Sequence, residues 1–192
     1  MFKEFKPALL MLLALTVITG VVYPALVTGV GQLLFAAQAN GSLIAREGRI
    51  VGSRLVGQSF SDPAYFWGRP SATTPVAYNG GASGASNLGP LNPALEQAVT
   101  ARILALRVAD LAQGAPIPVD LVTSSASGLD PHLSPAAAFW QAPRIAHQRQ
   151  LTLAAVHGLI DQHREERQWG FLGEPRVNVL MLNLSLDAMA PR

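Results

Sequence analysis

The segment Ser124-Ser125-Ala126-Ser127-Gly128-Leu129-Asp130-Pro131-His132-Leu133-Ser134-Pro135 gathers hydroxyls, a carboxylate and an imidazole into one short run. Ser127, Asp130 and His132 are the residue types of a nucleophile, an orienting acid and a base. Hydrolysis by such a set demands a geometry that closeness in sequence does not supply. The same hydroxyls, together with free N–H groups at a following helix start, could instead hold an anion or a phosphate. A third reading is a turn, in which Asp130 and the serines bond nearby backbone and cap the next helix. The glycine-rich stretch from Asn79 to Pro90 precedes a helix as a phosphate loop does, but it lacks the closing Gly-Lys-Ser/Thr, and a flexible surface loop accounts for it as well. His147, His157 and His163 lack the i, i+4 spacing of a zinc pair, and the chain contains 0 cysteines, so no metal site is expected.

Other polar groups have plainer readings. Tyr65-Phe66-Trp67 with Arg69-Pro70 reads as a contact patch for a partner or as core packing under a loop. His163 to Arg167 reads as a solvated helix end, Glu174 and Arg176 as an ion pair at a strand entry. Asn178 and Asn183 lie in an apolar run and need hydrogen-bond partners if buried.

These residues must be held by elements that the pattern outlines. Ser42 to Ala45 and Ile50 to Gly52 read as a hairpin, with Gly48 supplying the positive φ of its turn, and Arg54 to Gly57 as an extension of that sheet. Asn92 caps a helix opened by Pro93, carried by Leu95, Val99, Ile103 and Leu106, and ending near Gln113 before Gly114. Ile117 to Thr123 reads as a strand. Ser134-Pro135 starts a short helix through Trp140, Pro143 opens another piece, and Thr152 caps a helix running to about Arg164. Val177 to Leu186 reads as a buried strand, a helix being indistinguishable by periodicity. Strands and helices without βαβ alternation give an α+β class.

From Lys6 to Arg46 no residue between is charged, and Pro7 to Val30 is almost continuously apolar. A bilayer core of about 30 Å needs roughly 20 apolar helical residues, which this run supplies. A cleavable signal has a shorter apolar region, of roughly 7–15 residues, so a retained anchor is favoured even though Ala37-Gln38-Ala39 resembles a cleavage site. Residues 1–39 are therefore expected to form a cytoplasmic tip and a transmembrane helix, and residues 40–192 a soluble domain. Lys3 and Lys6 at the leading end place the N-terminus in the cytoplasm and the domain outside, the periplasmic side. Thr16, Gly20, Ala25 and Gly29 offer small residues for close helix approach. A formal net charge of +2 with no basic cluster argues against nucleic acid as a partner.

Leu55-Val-Gly-Gln58-Ser-Phe60, Tyr65-Phe-Trp-Gly-Arg69-Pro-Ser71-Ala, Ser86-Asn87-Leu-Gly-Pro90, Val122 to Pro135 and Glu174-Pro-Arg176-Val-Asn178-Val-Leu180 resemble, in this order, the C subunit of the Kdp potassium-transporting P-type ATPase. The resemblance implies a non-hydrolysing accessory subunit, without catalytic residues of its own, of a high-affinity ATP-driven potassium importer. Its implied partners are the ion-carrying subunit, the ATP-hydrolysing subunit and a small single-helix subunit, in the cell inner (plasma) membrane. The implied role is in assembly and as a catalytic chaperone that raises the pump's affinity for ATP. No cofactor is then bound permanently, and ATP enters through the partner subunit. Implied nucleotide contacts are Ser124, Ser125, Ser127, Gly128 and Gln141; implied structural or partner contacts are Gln58, Arg69, Asn87, Asp130, His132, Glu174, Arg176 and Asn178. The competing readings are a membrane-tethered exported hydrolase using Ser127, Asp130 and His132, and a periplasmic adaptor with no transporter partner.

Overall fold

The computed structural model describes residues 3–189, and the chain divides into a compact unit up to Leu43 and a second from Ile44 onward. In the first unit, α1 (Phe5–Val17), a π-helical turn (Ile18–Val22) and α2 (Tyr23–Leu34) run on as one apolar helix of 30 residues, whose most apolar stretch lies wholly outside any core. That length and composition suffice to cross a bilayer. The π turn has a cause in the sequence. Pro24 lacks an N–H, and its ring would clash with the carbonyl of Gly20, four residues earlier; widening that turn relieves the clash. A short helix, α3 (Ala36–Ala39), follows.

The second unit is α+β. It opens with the hairpin β1 (Leu43–Arg46) and β2 (Arg49–Ser53). Its turn places Glu47 and Gly48 at φ of 52° and 76°, the pair of left-handed residues that a two-residue hairpin turn requires. Arg54 to Gly57 does not extend this sheet; apart from a single bridge between Ser53 and Val56, the chain there turns away. Residues 58–92 carry no regular element. The helix α4 (Pro93–Ala109) begins where Asn92 accepts the N–H of Ala94, but it stops at Asp110, short of the expected Gln113.

Two expected strands take other forms. Residues 117–123 contain a 3-10 turn, Val119–Leu121, in place of a strand; Pro118, which has no N–H to give a ladder, precedes it. Val177 to Leu186 is strand for its first residues only: β5 (Arg176–Asn178) passes directly into α7 (Val179–Met189). The switch comes at Asn178, whose side-chain oxygen accepts the N–H of Met181 at 3.1 Å and so caps the new helix.

Between them, β3 (His132–Leu133) leads into α5 (Pro135–Arg149), capped by Ser134, and α6 (Leu153–Gln162), capped by Thr152. Pro143 does not break α5. It faces solvent, where water can take the carbonyl it leaves unpaired, while its neighbours Ala142, Ile145 and Ala146 are buried. The expected helix end at His163 to Arg167 becomes β4 (Arg164–Glu165), which pairs antiparallel with β5. The small sheet runs β3-β5-β4 and pairs His132 with Asn178 and Leu133 with Val177. Phe66, Leu106, Leu121, Ile145, Val156, Ile160, Leu182 and Leu186 form the centre of the core.

Candidate functional site

Tyr65-Phe66-Trp67 belongs to the interior and is not an exposed patch: Phe66 and Trp67 are buried in the core. Among the described residues this segment pairs with no strand, and side chains satisfy its backbone instead. Asn183 of α7 accepts the Phe66 N–H at 2.9 Å and donates to the Phe66 carbonyl at 3.0 Å. Gln141 of α5 does the same for Trp67, at 2.9 and 3.1 Å. Each amide thus imitates one rung of a β-ladder. Arg144 donates to the carbonyls of Pro63 and Tyr65, and Arg149 to that of Ala64. The guanidiniums of Arg102 and Arg144 also lie 5.2 and 5.0 Å from the Trp67 ring centre. Burial pulls the Arg144 guanidinium down to about 10, still fully charged at neutral pH.

This bracing delivers Arg69 to the surface beside the serine-rich run and its Asp130 and His132. Arg69 donates to the Asp130 carboxylate at 3.4 Å and to the Ser124 carbonyl at 3.2 Å. Asp130 accepts the His132 backbone N–H at 3.0 Å, an Asx turn, and lies 3.3 Å from His132 Nδ1. Burial pushes the Asp130 carboxyl up. The hydrogen bonds from His132 and the charges of His132 and Arg69 together outweigh it and leave the carboxyl below its usual value.

Pairing of β3 with β5 then brings Glu174 and Arg176 to the same place. Arg69, Asp120, Asp130, His132, Ser134, Glu174 and Arg176 line one cleft of about 420 Å³. Asp120 accepts the Ser134 N–H at 2.8 Å and ties the cleft wall to the start of α5. Glu174 and Arg176 do not pair with each other: Arg176 bonds Glu165 at 3.0 Å, and Glu174 bonds Arg167 at 2.5 Å. Arg69 and Asp130 also border a second depression, of about 540 Å³, lined by Ser125 and Ser127.

The serine segment is a tightly built turn. Gly128 sits at φ +66°, and a Cβ there would lie 2.5 Å from Thr73 Cγ2 and 2.8 Å from the Gly84 carbonyl. Ser71 donates to the Gly128 carbonyl at 2.7 Å, while Ser83 Oγ and the Gly84 N–H both donate to the Ser127 carbonyl at 3.0 Å. The glycine-rich loop thus lies against the serine turn as its backing. Ser125 is buried, and the Ser127 hydroxyl accepts the Leu129 N–H at 3.1 Å. His132 turns its Nδ1 to Asp130, and no Ser127–His132 hydrogen bond is found among the described residues, so the nucleophile–base contact that a hydrolase needs is not formed.

The remaining residues singled out by sequence lie elsewhere. Gln141, expected from the resemblance as a nucleotide contact, is 1% exposed, and both ends of its amide bond the Trp67 backbone, so in this structure it acts as a brace. Gln58 donates to the Val51 carbonyl and Asn178 to that of Arg54, so both hold the hairpin to the body. Asn87 is exposed in the loop at φ +51°. Sequence reasoning passed over Arg102, Arg144 and Tyr78, whose hydroxyl donates to the Arg69 carbonyl at 2.5 Å. For Arg144 a signal existed: it lies three residues after Gln141, on the helix face that also carries Ala137 and Ala138.

One apolar, membrane-length helix joined to an α+β domain, with a mixed-charge cleft gathering distant motifs, is the build of an anchored module. The chain belongs to the family described as K+-transporting ATPase, c chain, whose model matches residues 5–188. It is 64% identical over 189 residues to a protein of Methylococcus capsulatus named Potassium-transporting ATPase KdpC subunit, covering 98% of this chain and 100% of that one. Proteins of the same name from Polaromonas naphthalenivorans and Herpetosiphon aurantiacus are 61% and 58% identical, covering 97% and 95% of this chain and 95% of each relative.

Proposed function

We propose that this chain is a non-hydrolysing accessory subunit of an ATP-driven potassium import complex in the inner (plasma) membrane. It assembles there with the ion-carrying, ATP-hydrolysing and small single-helix subunits. The observation that carries this reading is the match of nearly the whole chain, anchor included, to relatives named as subunits of a potassium-transporting ATPase. The exposed apolar surface of α1 and α2 supports it, since that surface needs lipid or neighbouring helices to cover it.

The positive flank of Lys3 and Lys6 supports a cytoplasmic N-terminus and a domain on the periplasmic face. There the domain caps the ion-carrying subunit and stabilises the complex, with Arg69, Asp130, His132, Glu174 and Arg176 as its polar contact surface. With the domain outside the cytoplasm, Ser124, Ser125, Ser127, Gly128 and Gln141 do not meet cytosolic ATP directly, and the chaperone role that the family resemblance implies, raising the pump's affinity for ATP, is exerted through the assembled complex. No metal and no permanently bound cofactor is part of this reading.

Two readouts test it. The ATPase complex prepared with and without this chain should differ in the ATP concentration giving half-maximal hydrolysis; equal values would remove the chaperone role. Reporter fusions at the C-terminus should be active only outside the cytoplasm, and activity confined to the cytoplasm would overturn the orientation.

A further inference from the structure

The segment linking β4 to β5 ends in an aromatic tip that the proposed function does not use. Gln168 and Leu172 pair as a one-rung hairpin, with the Gln168 N–H donating to the Leu172 carbonyl at 2.9 Å and the return bond at 3.0 Å. Trp169 and Gly170 make the turn at φ of 51° and 80°. The Arg167–Glu174 ion pair at 2.5 Å closes the base. This short, hydrogen-bonded projection carries Trp169, Phe171 and Leu172 at 83%, 68% and 43% exposure, with the two rings 6.4 Å apart. The other two tryptophans, Trp67 and Trp140, are buried.

From this geometry we infer that the Trp169–Leu172 tip inserts into the headgroup region of the bilayer and gives the domain a second membrane contact. The inference rests on the reading that Phe5–Leu34 spans the membrane. Three observations choose lipid as the occupant. The tip is a single tight turn carrying three exposed apolar side chains, far short of the 1,200–2,000 Å² or so that a specific protein interface buries. Tryptophan at an apolar tip, its indole N–H without a partner among the described residues, is the side chain that settles at a bilayer surface. Last, Phe35 to Ser42 is all that separates α2 from β1, a tether of roughly 29 Å at full stretch, so a bilayer surface is always close to the domain. The charges around the tip are matched, Arg164 with Glu166, Arg167 with Glu174 and Arg176 with Glu165. Insertion therefore needs no anionic lipid.

The full chain is reconstituted into phosphatidylcholine liposomes with bromine high on the acyl chains, and tryptophan emission is compared with that in unbrominated vesicles. Because Trp67 and Trp140 are buried and the anchor contains no tryptophan, the lipid-quenched emission should belong to Trp169. The expected result is loss of that component with brominated lipid, its protection from aqueous iodide, and its absence in Trp169→Phe, whose remaining emission stays that of folded protein. Phe171→Ser should lessen the quenching. Vesicles that float with the chain but leave Trp169 open to iodide and untouched by bromine would overturn the tip contact while leaving the anchor standing. Failure of the chain to float would overturn both. Trp169 shielded from iodide and bromine alike in the assembled complex would show a protein covering the tip and equally refute the inference.

Discussion

Replacing Gln141 by leucine isolates the ladder that holds the aromatic segment. The two side chains are close in size, so little cavity opens, while the Trp67 N–H and carbonyl lose their partner in the core and the buried Arg144 guanidinium loses one acceptor. A buried polar group left unpaired costs about 1–3 kcal/mol. The two Trp67 backbone groups alone amount to about 2–6 kcal/mol, reduced by about 1 kcal/mol for the added apolar burial. The expected loss, about 1–5 kcal/mol, is large against the roughly 5–15 kcal/mol by which domains are stable. At about 2–4 °C per kcal/mol for a domain of this size, the unfolding midpoint should fall by about 2–20 °C. Thermal unfolding of the full chain in detergent micelles, followed by the emission of the buried Trp67 and Trp140, reads it. Asn183→Leu should behave alike, because it strips the same two backbone groups from Phe66. A Gln141→Leu protein as stable as the native one, but with an altered ATP dependence in the complex, would refute the bracing role and return Gln141 to the nucleotide site.

Three further outcomes follow from the site and the anchor. Gly128→Ala should destabilise the domain by about 1–2 kcal/mol for the left-handed conformation alone, and more through its contact with Thr73, as measured by thermal unfolding. Asp130 has a folded-state pKa below its unfolded one, so its contribution to stability is present above the unfolded value and is lost as pH falls through the folded value. Asp130→Asn should flatten that acid limb in urea titrations run across the acid range. Gly20→Leu and Gly29→Leu, where an added Cβ would meet nothing within 4 Å beyond its own stretch of helix, should weaken co-purification with the partner subunits while leaving membrane insertion unchanged.

Local signals in the sequence carried as far as local physics does. Asn92-Pro93, Ser134-Pro135 and Thr152 mark true helix starts, because a cap is decided within three residues. Glu47-Gly48 marks the hairpin turn for the same reason. The strand-to-helix change at Asn178 was hidden because an unbroken apolar run has no period to betray it, and only the cap at Met181 shows where the helix begins. The helix through Pro143 was hidden because burial of its neighbours outweighs the local cost of proline. Arg69, Asp130, His132, Glu174 and Arg176 were all singled out as motif residues, yet their union in one cleft depends on the β3–β5 register, which no local pattern encodes. The same dependence on tertiary pairing separated Gln141 and Asn178 from that cleft and gave them to the interior.

The most direct measurement is purification of the full chain from its native membrane in mild detergent, by a tag on the chain itself, with the co-purifying proteins identified. An accessory subunit should bring with it an ATP-hydrolysing P-type subunit together with an ion-carrying subunit, in constant ratio to the chain. Recovery of intact chain from the membrane with no such ATPase would contradict that assignment.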